Sequence, residues 1–192
     1  MLSTLILGLS FGGRQTRIRK YENKNIKESK MTELSQLSVK QLLEMASRAE
    51  MDANTIYSEL AHSLKNPLLK EKFQWLAFEE NKHKESLARL FLTLFREEKM
   101  EIPETTDEVL LPSIKFTPSS SLVDIIFQAM KAEEAAGDFY LSLAQKVSDP
   151  QEKILRYLSH VEHSHYTMLK SEYIMAQEFE DYGNSDLDKV VT

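Results

Sequence analysis

The stretch "FEENKHKESL", Phe78 to Leu87, places Glu80 three residues ahead of His83 within an apolar run of helical period. Eighty-two residues further on, "VEHSHYTML", Val161 to Leu169, does the same with Glu162 and His165. Residues three apart are neighbours on a helix surface, so each pair can present a carboxylate and an imidazole to one point. The fold turns on whether the two pairs belong together, and the sequence around them decides it.

The chain contains a copy of itself. At an offset of 83, Ala46, Ala49, Glu50, Ala53, Tyr57, Leu60, Ala61 and Pro67 fall on Ala129, Ala132, Glu133, Ala136, Tyr140, Leu143, Ala144 and Pro150. At an offset of 82, Leu76, Glu80, His83 and Leu87 fall on Leu158, Glu162, His165 and Leu169. Most matches are apolar or small, as two related helical hairpins require. The polar matches are a Glu in each leading helix and a Glu-x-x-His in each trailing helix. A third Glu-x-x-His, Glu59 and His62, falls on Ser142 and Gln145 and does not repeat. Glu59 stands nine residues after Glu50, on the opposite side of a helix, and reads as a solvated pair.

Four helices account for the pattern. Ser38 and Gln41 form a capping box, with Leu37 and Leu42 placed as a staple. Leu43, Ala46, Ala49, Ala53, Tyr57, Leu60, Ala61 and Leu64 then recur on one buried face. Asn66-Pro67 stops this helix and opens a second, predicted to run to about Lys99, since Pro is harmless at a first helical position. Residues 100–120 hold three of the five prolines and read as a connection. A loop that long is justified where a bundle sets two neighbouring helices parallel. Ser121 and Asp124 open a third helix, to about Val147. Asp149-Pro150 is expected to repeat the Asn66-Pro67 device and start a fourth, to about Asp181. The fold expected is all-α: two helical hairpins joined by one long crossover, resembling the ferritin-like variant of a four-helix bundle. A helical solenoid competes poorly, because two units are too few to stack.

Composition sets outer limits. The 192 residues suit about one domain, 42% of them apolar. With no Cys, disulfides, zinc fingers, iron–sulfur ligation and thiol catalysis are excluded, and a reducing, cytoplasmic setting is expected. Residues 1–30 carry seven Lys/Arg against two Glu; the remainder carries a net −11, a poor surface for nucleic acid. The opening "MLSTLILGLSFGG" is too short to span a membrane, and its basic stretch follows the apolar run, unlike a secretory signal. Residues 1–30 are read as a basic extension that folds little, 31–182 as the domain, and 183–192 as a flexible tail. The exposed run "LFLTLF", with Phe91, Leu92 and Phe95, suggests a homodimer.

Glu50 and Glu133 lie on the alanine-rich faces expected to point inward, beside the faces carrying Glu80, His83, Glu162 and His165. Two like charges about 4–5 Å apart repel by roughly 3–4 kcal/mol at an effective dielectric near 20. Four buried carboxylates must therefore take up protons or bind cations. Two divalent ions balance them and leave two neutral imidazoles as end ligands, a donor set suited to iron or manganese. Ala49, Ala53, Ala132, Ala136 and Gly137 would leave room for ions and a small oxidant. Tyr57 and Tyr140, two turns after Glu50 and Glu133, are candidates to hydrogen-bond those carboxylates. Trp75 reads as packing. A metal-free ion-pair network would need buried cations, and the assigned inward faces of the leading helices carry no Lys or Arg.

Glu50, Glu80-x-x-His83, Glu133 and Glu162-x-x-His165 resemble the di-iron ligand set of the rubrerythrin family, over about residues 38–180. The resemblance implies bridging roles for Glu80 and Glu162, terminal roles for Glu50 and Glu133, and one His on each metal. Two features depart from the family pattern. Ala136 stands where rubrerythrins carry a further ligating Glu, and there is no Cys for a rubredoxin-like electron-delivery domain. The function expected is a non-haem di-iron oxidoreductase that reduces hydrogen peroxide or dioxygen, re-reduced by an external electron donor. Ferritin-like iron oxidation and storage is the alternative, and a metal-free helical interaction module is a third reading.

Overall fold

The computed structural model describes residues 32, 34–115, 117, 120–179 and 183. The basic segment 1–30 and residues 184–192 lie outside the described residues, and with them the expectations about extension and tail. The chain divides into two units, Met1–Gln36 and Leu37–Thr192. In the first, residues 34–36 are helical. Among its described residues the second holds four long helices: α1 (Val39–Ser63), α2 (Pro67–Leu94), α3 (Leu122–Ala144) and α4 (Gln151–Glu178). No strand occurs among the described residues. α1 packs on α2 and α3 on α4, giving two hairpins joined by the crossover between α2 and α3, the four-helix bundle expected.

Local chemistry starts three of the helices as the motifs predict. Gln41 N donates to Ser38 Oγ at 3.3 Å and Ser38 N to Gln41 Oε1 at 3.0 Å, a complete capping box. Asn66 Oδ1 accepts from Leu68 N and Leu69 N at 3.1 and 3.2 Å, with Pro67 at the first helical position. Ser121 Oγ accepts from Asp124 N at 3.1 Å. The fourth start differs. Pro150 is itself the N-cap, in the right-handed helical region, and no side chain caps α4. Asp149 instead pairs with Lys153 at 2.7 Å, so the Asn66-Pro67 device is not repeated.

Three helices end earlier than their periodicity predicts. α2 stops at Leu94, where Phe95 leaves the helical region (φ −131°) and sets its ring 5.1 Å from Phe91. α3 stops at Ala144, and Lys146 N turns back to Leu143 O at 3.0 Å. α4 stops at Glu178 as Phe179 extends. The expected dimer stripe also changes character: Phe91 is buried and Phe95 half-buried, leaving Leu92 exposed. Phe91 follows Leu87 by one turn on the buried face of α2, and Phe95 packs on it just past the helix end.

The crossover is not slack chain. Leu110, Leu111 and Ile114 are buried. Thr106 Oγ1 donates to Asp52 Oδ2 at 3.0 Å and Glu101 N to Glu44 Oε1 at 2.8 Å, tying the segment to α1. Lys115 N donates to Gln128 Oε1 at 2.9 Å, tying it to α3. The connection therefore lies along the side of the bundle where the two leading helices meet.

Candidate metal centre

Each helix delivers its share of the cluster from its inward face: Glu50 from α1, Glu80 and His83 from α2, Glu133 from α3, Glu162 and His165 from α4. None of the six is more than 4% exposed. The structure brings together all six residues singled out from the repeat. Glu59 and His62 are exposed on the outside of α1, where His62 Nδ1 meets Ser58 O at 2.6 Å.

Two overlapping groups form. In one, Glu50, Glu80, His83 and Glu162 each offer an atom within 4.8 Å of the others; in the second, Glu80, Glu133, Glu162 and His165 do. Glu80 and Glu162 belong to both. The Nδ1 atoms face the carboxylates. That of His83 lies 2.8 Å from Glu162 Oε1, 3.1 Å from Glu80 Oε2 and 3.7 Å from Glu50 Oε2. That of His165 lies 3.3 Å from Glu133 Oε2 and from Glu162 Oε2, and 3.4 Å from Glu80 Oε1. Despite these short approaches, Glu80 Oε1 and both oxygens of Glu162 accept no well-formed hydrogen bond. Buried carboxylate oxygens are rarely left so. Their convergence with hard carboxylate and imidazole donors fits divalent iron or manganese.

The tyrosines are cross-connected. Tyr57 donates to Glu133 and Tyr140 to Glu50, so each hydroxyl reaches the leading-helix carboxyl of the other hairpin and not the Glu on its own helix face. Spacing along one helix put Tyr57 over Glu50; packing of the hairpins exchanged the partners. Burial, then the charges of Glu133 and Glu80, push the Tyr57 hydroxyl well above its ordinary value, and burial with Glu50 and Glu162 does the same to Tyr140.

Protons sort the cluster into two halves. Burial, then the charges of Glu80 and Glu162, drive Glu50 and Glu133 well above the carboxylate range. Burial also pushes Glu80 and Glu162 upward, but the two imidazoles outweigh it and hold both below that range. Burial opposes charge on His165, yet Glu133, Glu162 and Glu80 push it up to about 12. His83 is likewise raised, by Glu162, Glu50 and Glu80 against its burial. Protons are thus favoured on Glu50, Glu133 and the two imidazoles, and disfavoured on Glu80 and Glu162.

A cavity of about 40 Å³ opens onto the cluster between α1 and α3. Glu50, Glu80, Glu133 and Glu162 form its floor, Ala49, Ala53, Ala132 and Ala136 its sides, and Leu111, Pro112 and Ile114 of the crossover its outer wall. Gly137 is not among its lining. A Cβ there would meet the His163 ring at 2.5 Å, so that glycine admits a neighbouring side chain from α4, not an oxidant. On the opposite side, Trp75 sets its ring edge-on to His165, centroids 5.2 Å apart, while 43% exposed. It covers the cluster as well as packing. The crossover wall carried no sequence signal beyond apolar residues in a proline-rich stretch.

Fold and donor set together define a ferritin-like four-helix bundle with a carboxylate–histidine cluster at its centre. The rubrerythrin family model matches residues 41–173, and the chain belongs to the rubrerythrin family. The solved structure of a hypothetical protein from Pyrococcus furiosus is similar, with a TM-score of 0.70 and 33% identity, covering 77% of this chain and 96% of that one. No curated protein matches. No helix among the described residues is long and apolar enough to cross a membrane.

Proposed function

We propose that Glu50, Glu80, His83, Glu133, Glu162 and His165 hold two iron ions, manganese being the alternative, and that the protein is an oxidoreductase reducing hydrogen peroxide or dioxygen. An external donor would return the electrons. The carrying observation is that the two donor groups share Glu80 and Glu162. Shared carboxylates suit two cations: Glu80 and Glu162 would serve both, Glu50 and His83 would hold one, and Glu133 and His165 would hold the other.

When bound, two ferrous ions supply the Lewis acidity and the two electrons that, with two protons, convert peroxide to two waters. The protein's part is binding, exclusion and proton placement. Tyr57 Oη and Tyr140 Oη hold protons against the terminal carboxylates at the cavity floor. The alanine sides and the crossover wall restrict the cavity to a few small molecules, since one water takes roughly 10–15 Å³ of such space.

Anaerobic loading with ferrous iron, then titration with hydrogen peroxide, tests the reading. About two irons per chain are expected, with one peroxide consumed per iron pair oxidised. Uptake of no iron would overturn the site. Continued uptake far beyond two per chain, with a shell-sized native mass, would move the assignment to iron storage.

A further inference from the structure

We infer that Glu79 is a positioning residue for both cluster histidines, accepting from their outer ring nitrogens and thereby fixing which nitrogen of each ring faces the carboxylates. The inference rests on the metal-centre reading. Both Nδ1 atoms point into the cluster, at 2.8 Å from Glu162 for His83 and 3.3 Å from Glu133 for His165. A neutral imidazole that binds a cation through Nδ1 carries its proton on Nε2. His165 is fully buried and its Nε2 has no hydrogen-bond partner. Metal-binding imidazoles almost always give that second N–H to a carboxylate, carbonyl or water.

The two rings stack with centroids 5.5 Å apart and planes 18° from parallel, so one acceptor can serve both. Glu79 is placed for it: one of its oxygens and a nitrogen of each ring lie within 4.8 Å of one another. Rotation of the Glu79 side chain or one bridging water closes that gap. Among the described residues, no carboxylate outside the cluster forms such a group with both rings. Glu79 stands one turn ahead of His83 on α2, is 16% exposed at its side chain, and is held by Lys82 Nζ at 2.8 Å. Its counterpart in the second repeat is Val161, so this carboxylate is an addition to the duplicated set and a single group shared by both ends.

Glu79→Val, which installs the residue of the second repeat, and Glu79→Gln, which keeps an oxygen acceptor without the charge, separate the possibilities. The readouts are manganese(II) and iron(II) dissociation constants and the midpoint potential of the iron-loaded protein. Thermal unfolding of the chelator-treated chains controls for folding. Glu79→Val should weaken both ions by about tenfold to a hundredfold. Glu79→Gln should recover most of the affinity but keep a potential above wild type, because a neutral acceptor leaves the imidazoles less basic. Wild-type affinity and potential in Glu79→Val would overturn the role, as would weakening of one ion alone. A wild-type protein that binds neither metal would instead overturn the centre itself.

Discussion

Tyr57 and Tyr140 are the residues at which the two hairpins grip each other's acid. Each donates from a fully buried hydroxyl to a leading-helix carboxyl on the opposite hairpin, so replacing either by Phe strands a buried oxygen. Tyr57→Phe or Tyr140→Phe should each destabilise the chain by about 1–3 kcal/mol, read from urea unfolding. The protonation pattern yields a second expectation. Glu50, Glu133, His83 and His165 all bind protons more tightly folded than unfolded. The folded chain therefore holds more protons, and its stability falls as pH rises. For His165 the contribution is complete below its ordinary 6.5 and fades as pH climbs towards about 12. Chelator-treated protein should melt at a lower temperature at pH 9 than at pH 6. Cations compete for the same sites, so metal affinity should rise over that interval, with protons released on loading in a pH-indicator titration. Melting that is flat with pH, or loading without proton release, would contradict this distribution of protons.

At the scale of helices, the chemistry of the starts differs where the sequence looks duplicated. Asn66 is 3% exposed and caps two amides of α2, whereas Asp149 reaches Lys153 in solvent and caps nothing. Asn66→Ala should cost about 1–2 kcal/mol and Asp149→Ala less than about 0.5 kcal/mol, measured by thermal unfolding. Helix faces were legible because burial follows a period of 3.6 residues, and doubling of that pattern made Glu50, Glu80, His83 and their counterparts stand out. Helix ends were less so: Phe95 is as apolar as the residues before it, and no Gly or Pro marks the point where α2 stops. Partner choice was hidden as well. Tyr57 shares a face with Glu50 in one dimension, but the carboxyl it reaches depends on how far apart the hairpins sit, which no local pattern encodes.

For the molecule as a whole, the two sides of the bundle have different tasks. The histidines, Trp75 and Glu79 occupy the seam of the trailing helices, and the cavity occupies the seam of the leading helices. Only the second is walled by the crossover. Leu111 is 4% exposed and lines the cavity beside Pro112 and Ile114, so a segment that reads as a bare connection walls the space beside Glu50 and Glu133. Aperiodic apolar residues among prolines gave no sign of this, since a loop's contacts depend on the surface it crosses. Leu111→Ala should cost about 2–4 kcal/mol through the cavity it leaves, with Leu111→Val as the milder companion. The consequence for access is selective. Iron-loaded wild type should react with hydrogen peroxide much faster than with tert-butyl hydroperoxide in stopped-flow absorbance. Leu111→Ala should raise the rate for the bulky peroxide by about tenfold or more, with little change for the small one. Equal gains for both would make the wall a stability element alone, and wild type that already accepts the bulky peroxide would place the entrance elsewhere on the bundle.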